Sequence, residues 1–181
     1  MKKTILVLLT MSALALANPV SVTFVDPPTG VEINNGSVYV GPHALTIDGL
    51  MVLGTNISWD LELEPPYTWD AGETPLPNTP PFLSIAWLDL QFSSSSDWAG
   101  IQDAIWDESG ASYADANTLS WLASANDPAN YGNVNRWGFE ILQPDIAGYI
   151  PSFIIQSPEP ATFLLIGMGL VGLSIVRRRI K

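Results

Sequence analysis

The 181-residue chain has no cysteine, a single histidine, and seven basic residues against 18 acidic ones. Without cysteine, neither a disulfide framework nor a thiolate metal site can stabilise a fold outside the cell, so stability must come from the apolar core. His43 alone cannot supply a His-based metal triad; placed after Gly41-Pro42 where a strand begins, it reads as a structural or solvent-exposed residue. Six of the seven basic residues, Lys2, Lys3, Arg177, Arg178, Arg179 and Lys181, lie at the two ends. Between Asn18 and Ser157, Arg136 stands alone against 17 acids, a formal balance of −16. A phosphate backbone is bound by Lys and Arg that neutralise it and release its counterions. Nucleic acid is therefore not an expected partner, and anionic lipid surfaces are disfavoured on the same ground.

The same scarcity limits catalysis. With no lysine between the ends, Schiff-base and Ser-Lys mechanisms are removed. Paired carboxylates remain as a route to glycoside hydrolysis. The most suggestive pair, Asp103 and Asp107, is one helical turn apart on a polar face and reads as solvated helix charge. No catalytic, cofactor-binding or metal-ligating residue is assigned, and the protein is expected not to be an enzyme.

The two ends carry what the middle lacks. At the start, Lys2 and Lys3 precede an apolar stretch, Ile5 to Leu16, and Ala15-Leu16-Ala17 forms a small-x-small cleavage site before Asn18. This is the layout of a secretion signal, residues 1–17, cut by signal peptidase between Ala17 and Asn18 after delivery to the export machinery. The apolar stretch is shorter than the ~20 residues a membrane-spanning helix needs. At the other end, Pro158-Glu159-Pro160 leads into an apolar run that finishes at Val176, followed by Arg177-Arg178-Arg179. As a helix, 161–176 rises about 24 Å, somewhat less than a bilayer core of about 30 Å. The basic end, 177–181, suits the cytoplasmic side.

The triad, the short apolar helix and the arginine cluster together closely resemble the PEP-CTERM sorting signal of Gram-negative bacteria. That resemblance implies a tail, 157–181, that holds an exported protein transiently in the inner membrane until an exosortase cleaves it near the motif. The tail is then a substrate. Gly167-Met168-Gly169-Leu170-Val171-Gly172 also spells G-x-G-x-x-G, but with so little chain after it there is no place for the rest of a dinucleotide site. Small residues in a membrane helix explain it better.

Residues 18–156 read as one acidic extracytoplasmic domain, mainly β with inserted helices, built on an antiparallel sheet or sandwich. Asn35-Gly36 and Asp48-Gly49 each sit between strand-like runs and favour the positive φ angles of a type I′ hairpin turn. Trp59 to Glu64 alternates, sending Asp60, Glu62 and Glu64 to one solvated face. Six prolines make Pro65 to Pro81 a long loop outside any sheet interior, and Phe82 to Phe92 follows as a strand. A helix capped by Ser96 then carries Trp98, Ile101, Gln102 and Ile105 on one face, where the glutamine requires buried partners. A second helix, Asp115 to Ala125, should turn Ala116, Leu119, Leu122 and Ala123 inward and end at Asn126-Asp127-Pro128. Strands close the domain over Trp137 to Leu142 and Tyr149 to Ile155.

Gln102, Ala104, Ile105 and Trp106 form a Gln-x-Ala-Ile-Trp motif that resembles the one in thioester domains of bacterial surface proteins. In that family the glutamine is crosslinked to a strand cysteine. Here no cysteine exists, and a counterpart position in Met51 to Thr55 holds Gly54. The resemblance implies a fold and a surface role without the crosslink. The expected function is an exported cell-surface or extracellular-matrix protein, associated with exopolysaccharide, with a non-catalytic binding or structural role. The alternative is a secreted carbohydrate-binding module or carbohydrate-active enzyme, motivated by the acid excess and by Trp59, Trp69 and Trp137.

Overall fold

The computed structural model describes residues 19–24, 31–33, 38–58, 67–111, 116–144 and 152–157. The expected secretion signal with its Ala17-Asn18 junction, the alternating stretch 59–64 and the sorting tail lie outside these residues.

Strand formation begins where alternation predicts it. β1 (Val20–Phe24) buries Val22 and Phe24. β4 (Pro42–Ile47) and β5 (Leu50–Asn56) form the hairpin expected at Asp48-Gly49, with Ile47 opposite Leu50. Asp48 has φ 47° and Gly49 φ 84°, both in the left-handed region that a two-residue I′ turn demands. β2 (Val31–Ile33) and β3 (Val38–Val40) pair as a separate two-stranded ribbon, and the Asn35-Gly36 turn between them lies outside the described residues.

Two segments differ from the expected element type. Tyr67 to Pro75 is not loop but a nine-residue strand, β6. The prolines of 65–81 are gathered at its borders, and none falls between Tyr67 and Thr74. Trp69 and Ala71 consequently alternate into the core. Phe82 to Phe92 is not a strand either. It belongs to helix α1 (Pro80–Gln91), whose first turn accepts Pro80 and Pro81 because the amides they lack would be unpaired there. Ser84, Ile85, Leu88 and Asp89 recur at helical spacing and are all buried.

Helix α2 (Trp98–Glu108) is capped by Asp97 rather than Ser96, its carboxylate accepting from the Gly100 amide at 3.2 Å. Helix α3 (Ala116–Ala125) is rotated from the expected face: Thr118 and Ala125 are buried, Trp121 and Leu122 are half-buried, and Leu119 is 55 % exposed. The short α4 (Pro128–Tyr131) follows Asn126-Asp127, and a 3₁₀ turn (Arg136–Gly138) leads into β7 (Phe139–Pro144) and then β8 (Phe153–Gln156).

The sheet is neither open nor a sandwich. Its six strands close into an antiparallel barrel in the order β1-β4-β5-β8-β7-β6, sealed where Val20 to Phe24 of β1 meet Ala71 to Tyr67 of β6. Closure gives every strand of the barrel a neighbour on both sides, although β5 runs on past β8 at its Leu50 end. Val22, Phe24, Leu45, Ile47, Trp69, Ala71, Leu142, Phe153 and Ile155 fill the inside. A second core lies between the helices and the barrel wall, where Ile85, Leu88, Ile101, Ala104 and Ile105 meet Phe139, Ile141 and Ile154. Among the described residues no helix is long and apolar enough to cross a membrane; the apolar run 161–176 lies outside them.

Candidate functional site

The Gln-x-Ala-Ile-Trp motif occupies the joint between barrel and helices. α2 turns Gln102, Ala104, Ile105 and Trp106 into the interior, each at most 1 % exposed. Gln102 lies against the place where the chain leaves the β2-β3 ribbon for the barrel. Its Oε1 accepts the Gly41 amide at 3.1 Å, and its Nε2 donates to the Asn56 carbonyl at 2.8 Å. One side chain thus ties the start of β4 to the end of β5. Gly41 has φ 94°, and a Cβ there would lie 2.5 Å from Cε3 of Trp98. Trp98 is itself held by Phe92 edge-on at 5.7 Å and by a bond from Nε1 to the Ser95 carbonyl at 3.0 Å. Gly54 takes no part in this joint. A Cβ on it would lie 2.6 Å from Leu45 Cδ1 and 3.1 Å from Ile155 Cγ2, both residues of the barrel interior.

His43 and Trp69 are barrel-interior residues as well. Trp69 stacks on Phe153 at 5.9 Å, so of the three tryptophans considered for glycan contact it is buried, Trp137 is 58 % exposed, and Trp59 lies outside the described residues. The His43 ring lies 5.3 Å from that of Phe24 and 6.3 Å from that of Phe153. Its Nδ1 has no hydrogen-bond partner among the described residues. Burial lowers its pKa from 6.5 to about 4. As pH falls through 6.5 the unfolded chain takes up this proton while the folded ring stays neutral until about pH 4, so stability drains away across that window. Such a shift corresponds to about 3 kcal/mol. His43→Met, of similar volume, is expected to remove the loss: in urea unfolding, the stability gap between variant and wild type should widen by about 3 kcal/mol from pH 7 to pH 4. The carboxylates of Asp89, Glu73 and Glu108, whose pKa values are raised chiefly by desolvation, pull the other way, since the folded state then binds their protons first. They are common to both proteins and leave the difference unchanged.

Sequence reasoning missed Asp89. It sits in the apolar run of α1, and an acid flanked by Leu88 and Leu90 was the available signal. Its Oδ1 accepts the Thr55 hydroxyl of β5 and its Oδ2 accepts Gln156 Nε2 of β8 at 3.0 Å. One buried carboxylate therefore joins α1, β5 and the last residue of β8. Asp89 also lines a shallow groove of about 480 Å³ with Pro42, Met51, Leu53, Gln156 and Ser157. A second groove, about 600 Å³, lies across the helical layer between Phe82, Ile141 and Gln143, with Glu108 as the one acid of its described lining. Glu108 is oriented by Asn126 Nδ2 at 2.6 Å. Asp103 and Asp107 remain half-exposed on α2. Among the described residues no three His, Asp or Glu side chains are grouped as a metal ion would require.

Ser157, on the rim of the first groove, is also where the described domain ends and the triad begins. Residues 158–179 match the family model of the PEP-CTERM protein-sorting motif. The chain carries a PEP-CTERM sorting signal. The match covers all six residues assigned to the signal, Pro158, Glu159, Pro160, Arg177, Arg178 and Arg179. It marks the chain for export, for passage through a membrane-anchored precursor, and for processing by an exosortase. No curated protein and no solved structure matches the chain.

Proposed function

We propose that the PEP-CTERM signal delivers the acidic barrel domain to the cell surface, where it acts without catalysis as a binding or structural component of an exopolysaccharide-rich matrix. The observation that carries this reading is the sorting motif following directly on β8, so that the folded domain is its cargo. The charge of the domain supports it, since 17 acids keep a cysteine-free surface soluble beside a polyanionic or neutral polysaccharide. The occupied state of Gln102 supports it too, since both ends of its amide are taken by backbone groups and serve the fold.

Removing residues 158–181 tests this reading. The shortened domain is expected in the medium, with no membrane-held precursor in the cell pellet by immunoblot. The full chain should yield a mature form whose mass by spectrometry ends near Pro158 to Pro160. A mature form that still carried Lys181, or unchanged membrane association of the deletion variant, would overturn it.

A further inference from the structure

β5 is longer than the strand beside it. Its pairing with β8 covers Gly54, Thr55 and Asn56, opposite Ile155, Ile154 and Phe153. β8 stops at Gln156, opposite Leu53 in register, so from Leu53 back to Leu50 the strand runs past β8 with β4 on one side and no paired strand on the other among the described residues. This open stretch is apolar: Leu50, Met51 and Leu53 are 73 %, 72 % and 57 % exposed. Val52 packs inward, and Met51 and Leu53 share the outer face. An unpaired strand end with large apolar side chains exposed invites association and persists where something covers it.

The place of this shelf in the chain says what covers it. Met51 and Leu53 line the same groove as Gln156 and Ser157, the last described residues before the sorting motif. From Ser157 the apolar run at 161 is four residues away, a reach of at most about 14 Å even when fully extended. Asp89 fixes where the tether leaves, because it binds Gln156 and Thr55 together. Whatever layer receives 161–176 therefore begins within about 14 Å of Ser157, which lines the same groove as Met51 and Leu53.

We propose that in the anchored precursor the Met51-Leu53 shelf rests on the bilayer interface as a second, reversible membrane contact beside the tail. It rests on the anchored-precursor reading above. The contact is apolar rather than electrostatic, since the domain offers no lysine and only Arg136 to lipid phosphates. Alone, two side chains bind too weakly to hold the domain. Beside the tail they act at high effective concentration and seat the domain in one orientation, with the motif held at the interface. Cutting the tail removes that advantage, so the shelf lets go with it.

The absence of native cysteine makes the test clean. Full-length Met51→Cys, Leu53→Cys and, as a distant control, Leu119→Cys would each carry a nitroxide and be reconstituted in phosphatidylethanolamine–phosphatidylglycerol vesicles. The labels at 51 and 53 should collide several-fold more with dissolved oxygen than with an aqueous nickel chelate, and the label at 119 the reverse. The same labels on chains lacking 158–181 should read as water-exposed. If the full chain sedimented with the vesicles while 51 and 53 were as water-accessible as 119, the shelf contact would be wrong and the anchor right. Spin–spin broadening at 51 would overturn it in favour of a second copy. A chain that failed to sediment at all would overturn both readings.

Discussion

Gln102→Leu is expected to destabilise the domain by about 4 kcal/mol, although leucine fills nearly the same volume in an apolar setting. The glutamine is fully buried and spends both ends of its amide on the backbone. Leucine would leave the Gly41 N–H and the Asn56 C=O in the core with their water removed and their partner gone, each at a cost of about 1–3 kcal/mol. Urea unfolding monitored by tryptophan fluorescence measures this directly. Gln102→Glu sharpens the test. An ionised glutamate can still accept from Gly41 but opposes the Asn56 oxygen, whereas a protonated one can donate to it. Burial should raise the pKa of that carboxyl, so the variant is expected to be least stable at neutral pH and to recover as pH falls through the raised value. A neutral result for both variants would show that the joint is held by packing alone.

The second large effect is expected at the other side of the same joint. Gly41→Val places a β-branched residue at φ 94°, a conformation L-residues rarely adopt, and drives its Cβ into the Trp98 ring. A loss of 3 kcal/mol or more is expected, by the same unfolding measurement. Trp98→Ala in the same chain should return part of it by removing the clash, leaving the backbone strain in place. The interaction term of that double-mutant cycle reports how much of the glycine requirement is contact. Gly41→Val and Gln102→Leu act on one amide, so their combined effect should fall short of the sum.

Local chemistry made several elements legible. Asp48-Gly49 can take the positive φ angles of its turn, so that hairpin follows from two residues. Asn126-Asp127-Pro128 ends α3 because proline cannot continue it. A glutamine on the apolar face of a helix requires buried partners on sequence grounds alone. Other features misled for physical reasons. Six prolines between 65 and 81 read as one loop because their number outweighed their position at the borders of β6. The run from Phe82 to Phe92 is buried on much of its circumference, which blurs the contrast between periods of 2 and 3.6. The inward face of α3 turns on Trp121, whose indole Nε1 donates to the Asp97 carboxylate at 2.9 Å, a contact set by α2 rather than by the spacing of alanines and leucines.

By itself the sequence determined that a sorting signal follows an acidic domain at the C-terminal side. A sorting signal is linear chemistry, a triad, an apolar run and a cluster of arginines in order, and needs no tertiary contact to be read. It also determined that the cargo is acidic, free of cysteine and mainly β. Only the tertiary structure decided that the sheet closes into a barrel, because the sealing pair joins β1 to β6 across some 45 residues and no local pattern encodes that meeting. It alone brought Asp89, Thr55 and Gln156 together and left Met51 and Leu53 bare beside the exit of the tail. Those are distances between segments remote in the chain, fixed by how two cores pack on the two sides of one barrel wall.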